Sequence, residues 1–145
     1  MNYEEIYDSS YERVLEQKED RETFFNAFYE RFIGSSKRVA EKFGSTDMEK
    51  QRVMLKKSFF HLLAFYASNQ TDEYIDKIAR AHDKHHHNID PSMYDGWLDN
   101  LMATVAEFDP QFNEEVELAW RLVLTPGITY IKYKYNQPAP VSTQE

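Results

Sequence analysis

The sequence predicts an all-α domain, and three observations carry that expectation. Apolar residues recur at three- and four-residue intervals along most of the chain, the period of one face of a helix. Proline and glycine are scarce, five and four among 145 residues. Ser, Thr, Asp or Asn precedes most of the periodic runs, where helix caps belong. A chain of this length supports one hydrophobic core, and helices of unequal length on short links fit a layered domain better than an up-and-down four-helix bundle.

The elements follow in order. Ser9 with Glu12 reads as a capping box that opens a helix bearing Tyr11, Val14 and Leu15, preceded by a turn carrying Tyr3, Ile6 and Tyr7. A second helix begins near Asp20 and presents Phe24, Phe25, Phe28, Tyr29 and Phe32. Arg38 to Phe43 form a short piece that stops at a left-handed Gly44. Thr46 with Glu49 is a second capping box, opening a helix with Gln51, Leu55, Ser58, Phe59 and Leu62 on one side and an end at Ser68-Asn69. Thr71, followed by Asp72 and Glu73, starts the next helix, which runs to about His86.

Asp90-Pro91 supplies a cap and a first-turn proline ahead of Tyr94, Trp97, Leu98, Leu101, Val105 and Phe108. The last helix starts near Asn113, carries Val116, Ala119, Trp120, Val123, Gly127, Tyr130 and Ile131, and is expected to kink at Pro126. Residues 1–135 read as one domain. The remainder, 136–145, is polar, proline-bearing and aperiodic, and reads as a flexible tail.

Composition narrows the function classes. A formal charge of −8 without an Arg/Lys stripe argues against nucleic acid as a partner. No cysteine is present, so a disulfide, a thiolate nucleophile and a Cys-based metal site are excluded, and any metal must be held by His or carboxylate. The longest apolar stretches fall short of a membrane span and the start MNYEEIYDSS is polar, which makes no membrane association and a cytoplasmic location the expectation. Ten Phe and ten Tyr suit a small core or the walls of a pocket for a flat ligand.

One histidine stands out. Ile75, Ile78, Ala79 and His82 share one helix side, so the imidazole points where the isoleucines define the interior. A buried imidazole needs a partner at each nitrogen, and a metal on one with a hydrogen bond at the other satisfies both. The run His85-His86-His87 adds a rival, because His82 with His85 or His86 has the one-turn spacing of a shared zinc or nickel site. A third ligand would have to come from elsewhere, since His87 is expected to point away and Asp83 sideways, and a polar helix end favoured by the dipole explains the run equally well. The pairs Glu4-Glu5 and Glu114-Glu115 read as capping and surface charges.

FFNAFYERF (Phe24 to Phe32), VAEKF (Val39 to Phe43), MEKQRVML (Met48 to Leu55), IARAH (Ile78 to His82) and IDPSMYDGW (Ile89 to Trp97) occur in one order and at one spacing. In these segments the chain resembles the globin family, and within it the bacterial single-domain globins and the globin part of flavohaemoglobins. The resemblance covers most of Arg21 to Tyr135 and implies a globin-like fold, a three-over-three helical sandwich around a haem pocket. It implies haem b (iron protoporphyrin IX) with His82 as the iron ligand, Phe43 stacking on the porphyrin and Tyr94 beside the ligand histidine. On the opposite, gas-binding side it implies Tyr29, Gln51 and Leu55.

The residues agree with that carry-over. Gln51 and Leu55 stack one turn apart, and the phenylalanines around Tyr29 bury a hydroxyl that then needs a partner. Two features depart from the family: HDKHHHNI after His82 is longer than the usual link, and LTPGITYIKYKY lacks the glutamate that flavohaemoglobins carry in the last helix. The implied function is reversible binding of O2, NO or CO, for oxygen binding or transport or for nitric oxide detoxification. Dioxygenation would need a separate electron-donating reductase. A gas sensor acting through a partner and a haem-free helical metal- or protein-binding module are the alternatives, with a monomer or homodimer as the expected assembly.

Overall fold

The computed structural model describes residues 2–16 and 23–137. Among them are seven helices and no strand: α1 (Tyr3–Glu16), α2 (Thr23–Gly34), α3 (Lys37–Lys42), α4 (Met48–Ser68), α5 (Glu73–His82), α6 (Ser92–Phe108) and α7 (Glu114–Lys134). α1, α4 and α5 lie against α7, while α2 packs on α6, so the chain forms the crossed helical layers of a three-over-three sandwich. The start near Asp20 and most of the tail lie outside the described residues.

Each helix buries the side its periodicity marks. Phe24, Phe25 and Phe28 of α2 are at most 1% exposed, and Trp120 of α7 is wholly buried with its ring edge-on to Tyr7 at 4.7 Å. α7 runs as one helix across Pro126, and next to it Gly127 lets α7 approach α4 closely: a Cβ at 127 would lie 2.2 Å from Leu62 Cδ2. Backbone meets side chain there, and only a residue without Cβ leaves the room.

Several expected boundaries move, each for a local reason. α1 begins at Tyr3, so Ser9 lies in mid-helix and caps nothing. Asp47, not Thr46, caps α4 by accepting the Glu49 and Lys50 amides, and Asp72, not Thr71, caps α5 by accepting the Ile75 amide. In both pairs the neighbouring carboxylate adds charge to the same bond and outcompetes the hydroxyl. Gly44 is not left-handed; α3 closes through Phe43 and Gly44 amides donating to Ala40 and Glu41 carbonyls. α4 ends at Ser68, where the sequence expected it, and Asn69 closes it in the left-handed conformation, φ 58°.

The largest correction concerns α5, which stops at His82 rather than near His86. The Asp83 carboxylate accepts from the His85 amide (2.9 Å) and pairs with His86 Nδ1 (2.8 Å), drawing the chain off the helix axis. Asn88, at φ 54°, turns it back, and the amides of His87, Asn88 and Ile89 then donate to the carbonyls of Ala81, Asp83 and His82. The helix end is thus satisfied by its own loop.

Candidate functional site

A cavity of about 130 Å³ lies between α4, α5 and the crossing of α2 with α6. All six residues singled out in the sequence, Tyr29, Phe43, Gln51, Leu55, His82 and Tyr94, line it.

His82 is the last residue of α5. Ile75 and Ala79, on the same helix side, are 1% and 2% exposed and anchor α5 so that the imidazole edges the cavity. Tyr94, in the first turn of α6, brings its hydroxyl to 3.3 Å from His82 Nδ1. Burial first, and the nearby His87 second, hold the His82 pKa down to about 4, so the ring is neutral at pH 7. In the tautomer whose Nδ1–H donates to the Tyr94 oxygen, Nε2 keeps its lone pair for a metal. Burial raises the Tyr94 pKa, so its hydroxyl stays protonated.

The opposite wall comes from α2 and α4. Tyr29 is 5% exposed and donates a long hydrogen bond, 3.4 Å, to the Gln51 carbonyl. Its pKa is raised chiefly by burial, against the lowering bond to Gln51, which leaves a protonated phenol at neutral pH. Gln51 lies in the first turn of α4 and Leu55 one turn later, 4% exposed. Phe43 ends α3 and meets the Tyr29 ring edge-on at 5.8 Å. One imidazole, two phenols and Gln51 therefore line a space whose remaining walls are mostly hydrocarbon.

Sequence reasoning missed the rest of the walls. Phe32, Ile78, Met93, Trp97, Ile128 and Ile131 also line the cavity, as does Lys42, whose Nζ donates to the His87 carbonyl at 3.1 Å. The helical period marked most of these as apolar but could not separate cavity wall from core. Nor did the sequence place His87 correctly: its ring lies 6.4 Å from that of His82 instead of pointing away. The one-turn spacing invoked for a zinc or nickel site does not exist once α5 ends at His82. Among the described residues, no group of three or more His, Asp or Glu is arranged to hold an ion.

No protein-family model and no curated protein matches the chain. A solved structure does: a protein of Pseudomonas aeruginosa PAO1, described as structurally highly homologous to a human hemoglobin, superposes with a TM-score of 0.84 at 33% identity. The match covers 94% of this chain and 100% of the other. With crossed helical layers around an apolar cavity and that identity over nearly its whole length, the chain belongs to the globin family, helical proteins that bind haem and gases.

Proposed function

We propose that the chain holds haem b through His82 and reversibly binds a diatomic gas on the side lined by Tyr29, Gln51 and Leu55. The observation that carries this reading is the polarity of the cavity. A neutral imidazole, oriented through Nδ1 by Tyr94, stands at one wall, and a protonated phenol at another. A flat macrocycle with a metal at its centre would fit that arrangement: hydrocarbon walls, Phe43 among them, for the ring and one nitrogen donor for the metal.

Bound haem would supply an iron able to take up a gas, and the protein's own residues supply the rest. His82 holds the metal, with Tyr94 fixing the ring's orientation. Tyr29 and Gln51 offer hydrogen-bond donors that favour dioxygen, a better acceptor than carbon monoxide. Leu55 excludes water from the same volume. Oxygen binding or transport and nitric oxide detoxification both use this pocket, the second only with an electron-donating reductase. A cytoplasmic location belongs to the same reading; among the described residues no helix is long and apolar enough to cross a membrane.

The test is the absorption spectrum of protein purified from haem-supplied cells, oxidised, reduced, and reduced with carbon monoxide. The reading requires a Soret band that shifts on reduction and again with carbon monoxide. Folded protein without any Soret band would refute it.

A further inference from the structure

The outer side of α4 differs from the rest of the molecule. The chain carries 25 acidic residues against 17 Lys and Arg, yet from Lys50 to Thr71 it has no acid and four cations, Lys50, Arg52, Lys56 and Lys57. Lys50 and Lys57 are exposed and make no ion pair among the described residues. On the same side, at helical spacings of four and three, Val53, Lys57 and Phe60 follow one another. Val53 is 47% and Phe60 68% exposed, the latter the most exposed large apolar side chain among the described residues. An exposed aromatic ring set among cations is the composition of an interface anchor with a charged surround.

The inner side of this helix supplies Gln51, Met54, Leu55 and Ser58 to the cavity. A body resting on the outer side is therefore separated from the cavity by one helix, about 10 Å. We propose that the outer face of α4 docks a small acidic protein that donates electrons to the site, its carboxylates meeting Lys50 and Lys57 and an apolar contact covering Phe60. The proposal rests on the haem reading given above. One electron leaves a reduced iron–sulfur or flavin group of the partner and converts ferric to ferrous iron in the bound haem; no bond is formed and no proton moves. The chain's own surplus of acid repels such a partner elsewhere, so the basic helix steers the encounter as well as holding it.

The probe is an acidic plant-type [2Fe–2S] ferredoxin. Its oxidised form is titrated calorimetrically against the oxidised haem protein, and its reduced form is mixed with the same protein in a stopped-flow instrument, at low and high salt. Expected are binding that weakens with salt and a second-order reduction rate that falls about tenfold or more both in the double variant Lys50→Glu, Lys57→Glu and in Phe60→Ser. Reduction by dithionite, the haem spectrum and the exposed α7 variant Leu118→Ser should remain as in the parent. Absence of binding, a rate indifferent to salt or to these variants, attachment of the basic face to phosphatidylserine vesicles instead, or Phe60-dependent self-association in its place would each overturn the proposal. Absence of a Soret band would refute the haem reading separately, since the calorimetric titration reports docking by itself.

Discussion

At the level of single residues, the proposed gas-binding wall depends most on Tyr29. Its hydroxyl is buried, protonated and only loosely held by the Gln51 carbonyl at 3.4 Å, so it can turn to a better acceptor entering the cavity. Tyr29→Phe removes that donor with little change of shape. A hydrogen bond to an acceptor of partial negative charge contributes about 1.5 to 3 kcal/mol, so dioxygen dissociation should accelerate about 10- to 100-fold, measured by stopped-flow displacement with carbon monoxide. An unchanged rate would take Tyr29 out of the gas site. That His82 and Tyr29 line the cavity was legible in the sequence because each is a polar residue on an apolar helix side. Lys42 and His87 were not, because the contact between them spans 45 positions and depends on a left-handed Asn88 that no motif announces.

Among elements, the crossing of α4 and α7 positions one wall of the site against another. Gly127 meets Leu62 there, and the helix carrying Gln51 and Leu55 is seated by that contact. Gly127→Val would drive a branched side chain into a buried leucine, costing about 2 kcal/mol net of the gain from replacing a helical glycine. Chemical denaturation should show this loss, and combining the change with Leu62→Ala should cost clearly less than the two single losses summed. Strict additivity would mean that the crossing is not the source. Helix existence was readable from periodicity throughout; helix ends were not. Thr46-Asp47 and Thr71-Asp72 each put two capping residues side by side, and the end of α5 is set by Asp83 bonding forward into a polar loop, which no pattern of apolar residues marks.

Across the whole molecule, the first and last thirds are joined by a polar cluster inside the core. Asp109 has a fully buried side chain and accepts from Ser10 Oγ (2.6 Å), Arg13 Nε (2.6 Å), Arg13 Nη2 (2.9 Å) and the Gln111 amide (2.8 Å), while Trp120 donates to Ser10. Burial alone would raise the carboxyl pKa, but the bonds from Arg13, Ser10 and Gln111 outweigh it and hold it below the usual value. A folded pKa below the unfolded one, about 3.9, stabilises the protein above that pH and loses the contribution as pH falls through the folded value. Thermal unfolding from pH 7 to 3 should therefore show Asp109→Asn well below the parent at neutral pH and converging on it under acid. A gap independent of pH would contradict the account. None of this cluster was visible in the sequence, where Ser10 and Asp109 stand 99 positions apart.

The central claim is that the imidazole of residue 82 is the protein's bond to haem iron. It is tested most directly by His82→Gly, reconstituted with haem and examined by resonance Raman spectroscopy with and without added imidazole. The account predicts that the variant lacks the iron–histidine stretching band of the ferrous parent and that free imidazole, filling the vacated space, restores an iron–imidazole band. A parent-like band in the variant without imidazole would show that another residue holds the iron and would contradict it.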